Sequence, residues 1–300
     1  MVIIAIYTDF YSVSCSGSKK DACTALSSYA CDVYTGIAYD CRIAPYSESE
    51  RNLLNAHIEQ LSKIGLGGNK SILIGDRGYP SYDEFIHVID SGFDFLFRLP
   101  LSWSNVISQI DNGDTEFEIC GQTTPDGGKY HFRAIAVTLS TGETEYLATS
   151  LPRDFLSPDE AQDLYWLRWG NETKYDHLKN TLELENFSGR TVNSVYQDFY
   201  AASTLANVVS AFASVADAEI AAADQSKDLK YERKANRNTI AYNVILAFLA
   251  LMIESDPLKR QREFDLLFDR ILRNPVPIVS DRNPTRKSPR NKRFHIAKRK

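Results

Sequence analysis

Two short aliphatic runs, Val2–Tyr7 and Ser71–Gly75, each halt against an aspartate, Asp9 and Asp76. Unbroken apolar stretches of this length, bounded by polar residues, read as buried strands. Acids at the ends of neighbouring strands meet at one edge of a sheet, where open α/β sheets place their ligands. The segments around these runs decide whether the strands are neighbours. Thr24–Tyr34, the turn Thr35-Gly36 and Ile37–Ala44 read as a β-hairpin. Ser47–Ile64 reads as a helix, because Leu53, Leu54, His57, Ile58 and Leu61 recur at helical spacing after a Ser-x-Ser-Glu start. Ser81–Asp90, closed by Gly92, reads as a second helix, and Phe93–Leu99 as a fifth strand.

Three strands, a helix, a strand, a helix and a strand is the element order of a ribonuclease-H-like α/β core. The texture then changes. Thr115–Gly121, Lys129–Ser140 and Thr144–Leu151 alternate in polarity and are separated by Pro125-Asp126-Gly127-Gly128 and Ser140-Thr141-Gly142, which predicts an antiparallel β insertion. From Ser157 the pattern is helical, with Pro158 in the first turn. Further helices are expected at Val192–Ala223, Thr239–Ile253 and Phe264–Leu272. The fold class is therefore α/β: a ribonuclease-H-like mixed sheet with flanking helices, a β insertion and a helical C-terminal part. The expected divisions are 1–100 and 157–225 for the core, 101–156 for the insertion, 226–281 for the C-terminal helices and 282–300 for a basic tail.

The formal charge of −5 conceals an asymmetry. Nine Lys/Arg and no acid lie between Arg282 and Lys300, so the remainder carries −14. An acidic body suits a site that collects cations, and a basic tail suits polyanions. The tail is Pro-interrupted, and it reads either as a solvated charge run or as a non-specific phosphate contact whose binding weakens with salt. Lys227, Lys230, Arg233, Lys234 and Arg237 form a lesser basic stretch with the same two readings. No run reaches the length of a membrane helix; the longest, Val244–Ile253, reads as a core helix. No signal peptide is expected at the start. The five cysteines, Cys15, Cys23, Cys31, Cys41 and Cys120, form no Cys-x-x-Cys pair and read as free thiols of a reducing cytosol. The expected location is cytoplasmic, at the nucleoid. His57, His87, His131, His177 and His295 show no metal-ligand spacing, and neither a Gly-rich phosphate loop nor a Ser/His/Asp arrangement is evident.

The strongest signal is the segment Tyr165–Lys179. At about 100° per residue, Tyr165, Arg168, Glu172 and Lys179 share an arc of about 60°, beside a stripe containing Leu164, Leu167, Tyr175, Leu178 and Leu182. The helix thus packs on a core and carries a mixed-charge row along its margin. On the face alone, a solvated Arg168–Glu172 pair would explain that row.

The spacing Tyr-x2-Arg-x3-Glu-x6-Lys, met at Tyr165, Arg168, Glu172 and Lys179, resembles the signature of the DDE transposases of bacterial insertion sequences, insertion sequence family 4. Ile74-Gly75-Asp76-Arg77-Gly78-Tyr79 resembles the stretch around that family's second catalytic aspartate, and Arg98 and Ser47–Arg51 are similar as well. The resemblance covers residues 1–280. It implies a metal-dependent transposase acting by cut-and-paste through a DNA hairpin, with a base flipped from the stack. Asp9, Asp76 and Glu172 would be the catalytic acids and the ligands of two Mg2+ or Mn2+ ions about 3.5–4 Å apart. Tyr165, Arg168, Lys179 and Arg77 would contact DNA phosphates. The partners implied are double-stranded DNA, at the element ends and the target, and a second copy forming a homodimer on DNA, with no membrane.

Several positions keep two readings. Asp9 is followed by Phe10 where family members have Gly, and Asp32 and Asp40 are the substitutes, otherwise edge or turn acids. Arg77 and Arg98 suit salt bridges as well as DNA. Trp103 is a candidate stacking partner for the flipped base, or a packed aromatic. The chain opens on the first core strand, where family members commonly carry an end-binding helical region. The alternative function is therefore a catalytically inactive or truncated transposase-derived DNA-binding protein.

Overall fold

The structure is a computed structural model that describes residues 2–14, 22–68, 71–139, 142–168 and 191–278; of residues 9–14 and 22–24 it describes the backbone alone. The chain divides into two compact units, one of residues 1–12 and 24–176, the other of residues 13–23 and 177–300.

The first unit is built on strands β1 (Val2–Ser14), β2 (Ala22–Asp32), β3 (Ala38–Pro45), β4 (Ser71–Gly75), β5 (Asp94–Arg98), β6 (Asp114–Thr123), β7 (Lys129–Thr138) and β8 (Thr144–Thr149). They form one sheet in the order β3-β2-β1-β4-β5-β8-β7-β6. β4 pairs in parallel with β1 (Ala5 opposite Ile74) and with β5 (Gly75 opposite Phe97). Its five residues, Ser-Ile-Leu-Ile-Gly, are all buried, as a strand between two parallel neighbours requires.

Period-two alternation sorts the aliphatic residues onto two faces. Ile4, Ile6, Leu73, Phe95 and Phe97 point into one cluster. It is covered by α1 (Glu50–Lys63) through Leu54, Ile58 and Leu61, and by α2 (Tyr82–Asp90) through Phe85 and Val88. A short helix, α3 (Ser104–Ile107), adds Val106. Ile3, Ala5, Ile72, Ile74 and Leu96 point the other way, against Ala161 and Tyr165 of α4, a helix described from 158 to 168. The result is a ribonuclease-H-like α/β fold with helices on both faces of a mixed sheet.

The expected end of the first strand changes. β1 does not end near Asp9; its backbone stays extended to Ser14. The β6–β8 strands extend the core sheet, with β8 antiparallel to β5 and Arg98 opposite Leu147. Arg133 on β7 ties this extension to the chain leaving it. It is 4% exposed, pairs with Asp114 at 2.6 Å, and donates to the carbonyls of Leu151 and Leu156 at 2.8 and 3.0 Å.

The second unit contains α5 (Val192–Asp224), β9 (Arg233–Lys234), α6 (Arg237–Ile253), α7 (Pro257–Leu272) and β10 (Val276–Pro277), which pairs antiparallel with β9. Ala206, Val209, Ala213 and Ala216 of α5 pack with Ile240, Ala241 and Val244 of α6 and with Leu267 and Ile271 of α7. α6 was expected as a core helix over Val244–Ile253, but only its first half is buried, and Leu249, Met252 and Ile253 are exposed. The expectation of no membrane-length segment also changes. By length and composition α5 is long and apolar enough to cross a membrane; its buried face is part of this helical core.

Candidate active-site cleft

The cleft is built where β4 stops. Asp76 opens a turn in which the Tyr79 N–H donates to the Asp76 carbonyl at 3.3 Å and the Arg77 N–H to Asp76 Oδ1 at 2.8 Å. Two glycines make the turn sterically possible. A Cβ on Gly75 would lie 2.7 Å from Tyr79 Cδ2 and 3.1 Å from Phe97 Cδ1, so its absence lets the Tyr79 ring lie on the strand. A Cβ on Gly78 would overlap the Glu50 carboxylate. Pro80 and Ser81 then lead into α2, with Ser81 accepting from the Glu84 N–H as N-cap. Arg51 of α1 donates to the Pro80 carbonyl at 2.9 Å, fixing α1 beside the turn.

Three side chains converge on Asp76. The Tyr165 hydroxyl of α4 donates to Oδ1 at 3.4 Å, the Arg168 guanidinium lies 3.7 Å from Oδ2, and the Arg98 guanidinium lies 3.8 Å from Oδ1. Arg168 is 2% exposed and stacks over the Tyr165 ring at 5.2 Å, a cation–π contact that holds the planar fork in place. Arg98 also pairs with Glu145 of β8. Asp76, singled out in the sequence as a strand-end acid, therefore meets Tyr165 and Arg168, singled out as parts of one helical signature. Arg77 is exposed on the rim.

A second carboxylate was missed. Glu50, in the first turn of α1, lines the same cleft as Tyr7, Thr8, Asp76, Arg77, Gly78, Tyr79 and Arg168, which encloses about 170 Å3. Burial, and then the charge of Asp76, raise its pKa above the ordinary value. Glu50 and Asp76 offer hard oxygen donors in a half-buried site, the chemistry a divalent cation requires. Among the described residues no group of three or more potential metal ligands forms. Glu172 and Lys179 lie outside the described residues, and Asp9 is described by its backbone only, on β1.

Other expectations resolve locally. Asp32 is a turn acid, accepting from the Tyr34 and Thr35 N–H groups at 2.9 and 2.7 Å. Asp40 instead binds His57 Nδ1 at 2.7 Å, and His57 Nε2 meets Ser28 Oγ at 2.9 Å. This is a Ser/His/Asp arrangement that sequence spacing did not reveal; with Ser28 and His57 at 0% exposure it offers no accessible nucleophile. Trp103 packs between Tyr82 and Phe85, at ring distances of 4.9 and 5.5 Å, so it is a packed aromatic. In the lesser basic stretch, Lys227 and Arg233 pair with Asp224 and Arg237 pairs with Asp217, which favours the structural reading of those three. Cys31, Cys41 and Cys120 are not joined in disulfides. The basic tail and Cys15 lie outside the described residues, and Cys23 is described by its backbone alone.

Fold and cleft together define an α/β protein of ribonuclease-H-like architecture, with acids and guanidinium groups gathered at its central strand ends. Residues 18–208 match the family model described as the transposase DDE domain, and the chain belongs to that family. Members of this family use divalent metal ions. A solved structure, the cryo-EM synaptic complex of the piggyBac transposase with hairpin DNA, matches at 12% identity and a TM-score of 0.49. The match covers 95% of this chain and 60% of that one, so the chain spans less than two thirds of that solved chain. No curated protein matches.

Proposed function

We propose that the protein is a metal-dependent DNA transposase of the insertion sequence family 4 type, cutting and joining DNA at the ends of its element by a cut-and-paste route. The carrying observation is the meeting of Asp76, at the end of β4, with Tyr165 and Arg168 of α4 and with Arg98 of β5. Three elements remote in sequence aim one carboxylate and two guanidiniums at a single point.

Asp76 and Glu50 would hold divalent metal, Mg2+ or Mn2+, with Glu172 completing the set and Glu50 taking the place that the family resemblance gives to Asp9. When bound, that metal supplies charge stabilisation for the entering and leaving oxygens of a phosphodiester. The protein's own part is positioning. Arg168, immobilised on Tyr165, offers a planar fork to a phosphate oxygen, and its charge is already set before DNA arrives. Arg98 serves the same electrostatic role from the sheet side, braced by Glu145. Arg77, exposed on the rim, and Lys179 would hold flanking phosphates. A homodimer would bring two element ends together.

The test is cleavage of an end-bearing duplex with Mg2+. Wild type should cut, and Asp76→Asn and Glu172→Gln should each lose cutting by about a hundredfold or more while still binding DNA. Binding of ends without any cutting would instead support the second reading, an inactive transposase-derived DNA-binding protein. One observation favours that reading: continuing the β1–β4 register from Ala5 and Ile74 puts Tyr7, not Asp9, level with Asp76.

A further inference from the structure

A buried chain of polar side chains runs from the edge of the sheet to the cleft, and nothing in the proposed chemistry uses it. It begins at Asp40 on β3, which accepts from Arg42 Nε at 2.6 Å and faces His57 Nδ1 at 2.7 Å. His57 Nε2 faces Ser28 Oγ of β2 at 2.9 Å. The Thr8 hydroxyl of β1 donates to Ser28 Oγ at 3.3 Å, and Thr8 Oγ1 lies 2.5 Å from the Tyr79 hydroxyl. Thr8 and Tyr79 both line the Asp76 cleft.

The directions of these bonds are not free. Asp40 is held ionised: burial raises its pKa, but the bonds it accepts from His57 and Arg42 and the charge of Arg42 act against burial, and its pKa lies below the ordinary value. A carboxylate only accepts, so Nδ1 must carry the proton. In neutral His57 the other nitrogen then has only a lone pair, and the Ser28 hydroxyl must donate to it. Ser28 oxygen is left to accept from Thr8. The Thr8 proton being spent, the Tyr79 hydroxyl must donate to Thr8. Each group settles the next, and Tyr79 is left with lone pairs, not its proton, for the cleft. Protonating His57 inverts every step. Nε2–H donates to Ser28, Ser28 to Thr8, Thr8 to Tyr79, and the Tyr79 proton is released.

We propose that Asp40, His57, Ser28 and Thr8 form a one-way hydrogen-bond relay that fixes Tyr79 as an acceptor toward the Asp76 cleft, and that protonation of His57 reverses it and makes Tyr79 a donor there. In the first state Tyr79 accepts from a water or hydroxyl in the cleft; in the second it donates to an anionic oxygen such as that of a phosphate. His57 is a positioning residue, acting through Thr8 and Tyr79. The charged groups that act on it are Asp40 and Arg42, both from β3. Burial keeps it neutral, with Arg42 adding to that effect and Asp40 opposing it. The Tyr79 hydroxyl in turn sits within reach of the cleft's charges: burial chiefly resists its ionisation, with Glu50 and Asp76 also resisting and Arg168 opposing them.

The relay is testable without any activity. In protein labelled with 15N at histidine, with His57 identified by its absence from His57→Gln, neutral His57 should be the Nδ1–H tautomer. Tyr79→Phe and Thr8→Val should each lower its titration midpoint by about half a unit, roughly threefold in proton affinity. Each change deprives the reversed chain of an acceptor, which penalises charged His57 more than neutral His57. The opposite tautomer, or a midpoint that ignores Tyr79→Phe, overturns the relay whether or not the chain cuts DNA. The role at the cleft rests on the transposase reading. There the wild-type cleavage rate should bend at the His57 midpoint, and the bend should vanish in His57→Gln, whose amide can donate to Asp40 and accept from Ser28 but takes no proton. If cutting is Mg2+-dependent yet both proteins share one pH profile, the switch is refuted and the transposase reading stands.

Discussion

Gly75→Ala is the most direct probe of how the cleft is held together. The new Cβ would meet Tyr79 Cδ2 at 2.7 Å and the Phe97 ring at 3.1 and 3.2 Å, against about 3.5–4.0 Å for carbon atoms in ordinary contact. A ring edge must retreat by roughly 0.8 Å. Neither ring is free to do so. Both are fully buried, Phe97 is packed on Phe95 at 5.1 Å, and Tyr79 is tethered to Thr8. Overpacking of this kind costs about 2–3 kcal/mol. Against it, alanine restricts the unfolded chain and recovers about 0.4–1 kcal/mol. The net expectation is a loss of about 1–2 kcal/mol. Urea unfolding followed by Trp103 fluorescence, in a chain with Trp166 and Trp169 replaced by Phe, should show a midpoint lower by about 0.5–1 M at a slope of roughly 2 kcal/mol/M. Adding Phe97→Leu should recover part of the loss, giving a coupling of about 1 kcal/mol. Unchanged or greater stability of Gly75→Ala would mean that Tyr79 does not lie on the end of β4, and the geometry derived for the cleft would be wrong.

Three further outcomes are expected. His57 has a lowered pKa, first through burial, so its contribution to stability is complete above the unfolded value near 6.5 and is lost as pH falls toward the folded value, at no more than about 1.4 kcal/mol per pH unit; urea midpoints of His57→Gln should lack that slope, and an unchanged slope would exclude a buried neutral imidazole. Arg133→Met should cost about 2–4 kcal/mol, since it strands two carbonyls and leaves Asp114 only its exposed partner Arg153, whereas Arg153→Met, at a side chain 59% exposed, should cost under about 1 kcal/mol; equal losses in chemical unfolding would show that Arg133 is no clamp. Asp224, held well below the ordinary carboxylate range first by its bond to Arg233 and then by Lys227, should lend the second unit stability that is present above about pH 4 and lost in acid; helical circular dichroism on acid titration should show Asp224→Asn unfolding at higher pH than wild type in low salt.

How much of this could be read from the sequence depended on the range of the interaction. The five α1 positions picked out by spacing, Leu53, Leu54, His57, Ile58 and Leu61, are the five that the helix buries, because one periodicity within one element decides them. Ser71–Gly75 was legible because a short apolar run bounded by turn residues suits a strand buried on both faces. The end of β1 was not: its backbone runs on, extended, through polar residues to Ser14. His57 looked like one more position in an apolar stripe, yet its partners Ser28 and Asp40 come from two other strands. The basic stretch around Arg233 looked available for phosphate until its acids, Asp217 and Asp224, proved to come from the end of α5. A periodic pattern identifies which face is buried; it does not say which remote charge has been brought alongside.

The same distinction bears on which acids share a metal. A search for acids at strand ends selects Asp9 and Asp76, but β1 and β4 run in parallel with Ala5 opposite Ile74, so Asp9 stands two residues, about 6.6 Å along the strand, past the level of Asp76. Glu50 was invisible to that search because it sits on a helix and reaches the cleft only where Gly78 leaves room. Its pKa is raised by burial and by Asp76, so the pair repels unless a cation lies between. Removing one carboxylate from a shared site should weaken Mn2+ binding by about tenfold or more, while removing a distant one should not. Titrations of Mn2+ by electron paramagnetic resonance should therefore show Glu50→Gln and Asp76→Asn binding weakly and Asp9→Asn binding nearly as wild type. The affinity of wild type should fall on acidification, as Glu50 takes up its proton, earlier than in Glu50→Gln. If Asp9→Asn loses the ion and Glu50→Gln keeps it, then the family's strand-end pair holds the metal and the helix carboxylate is a bystander.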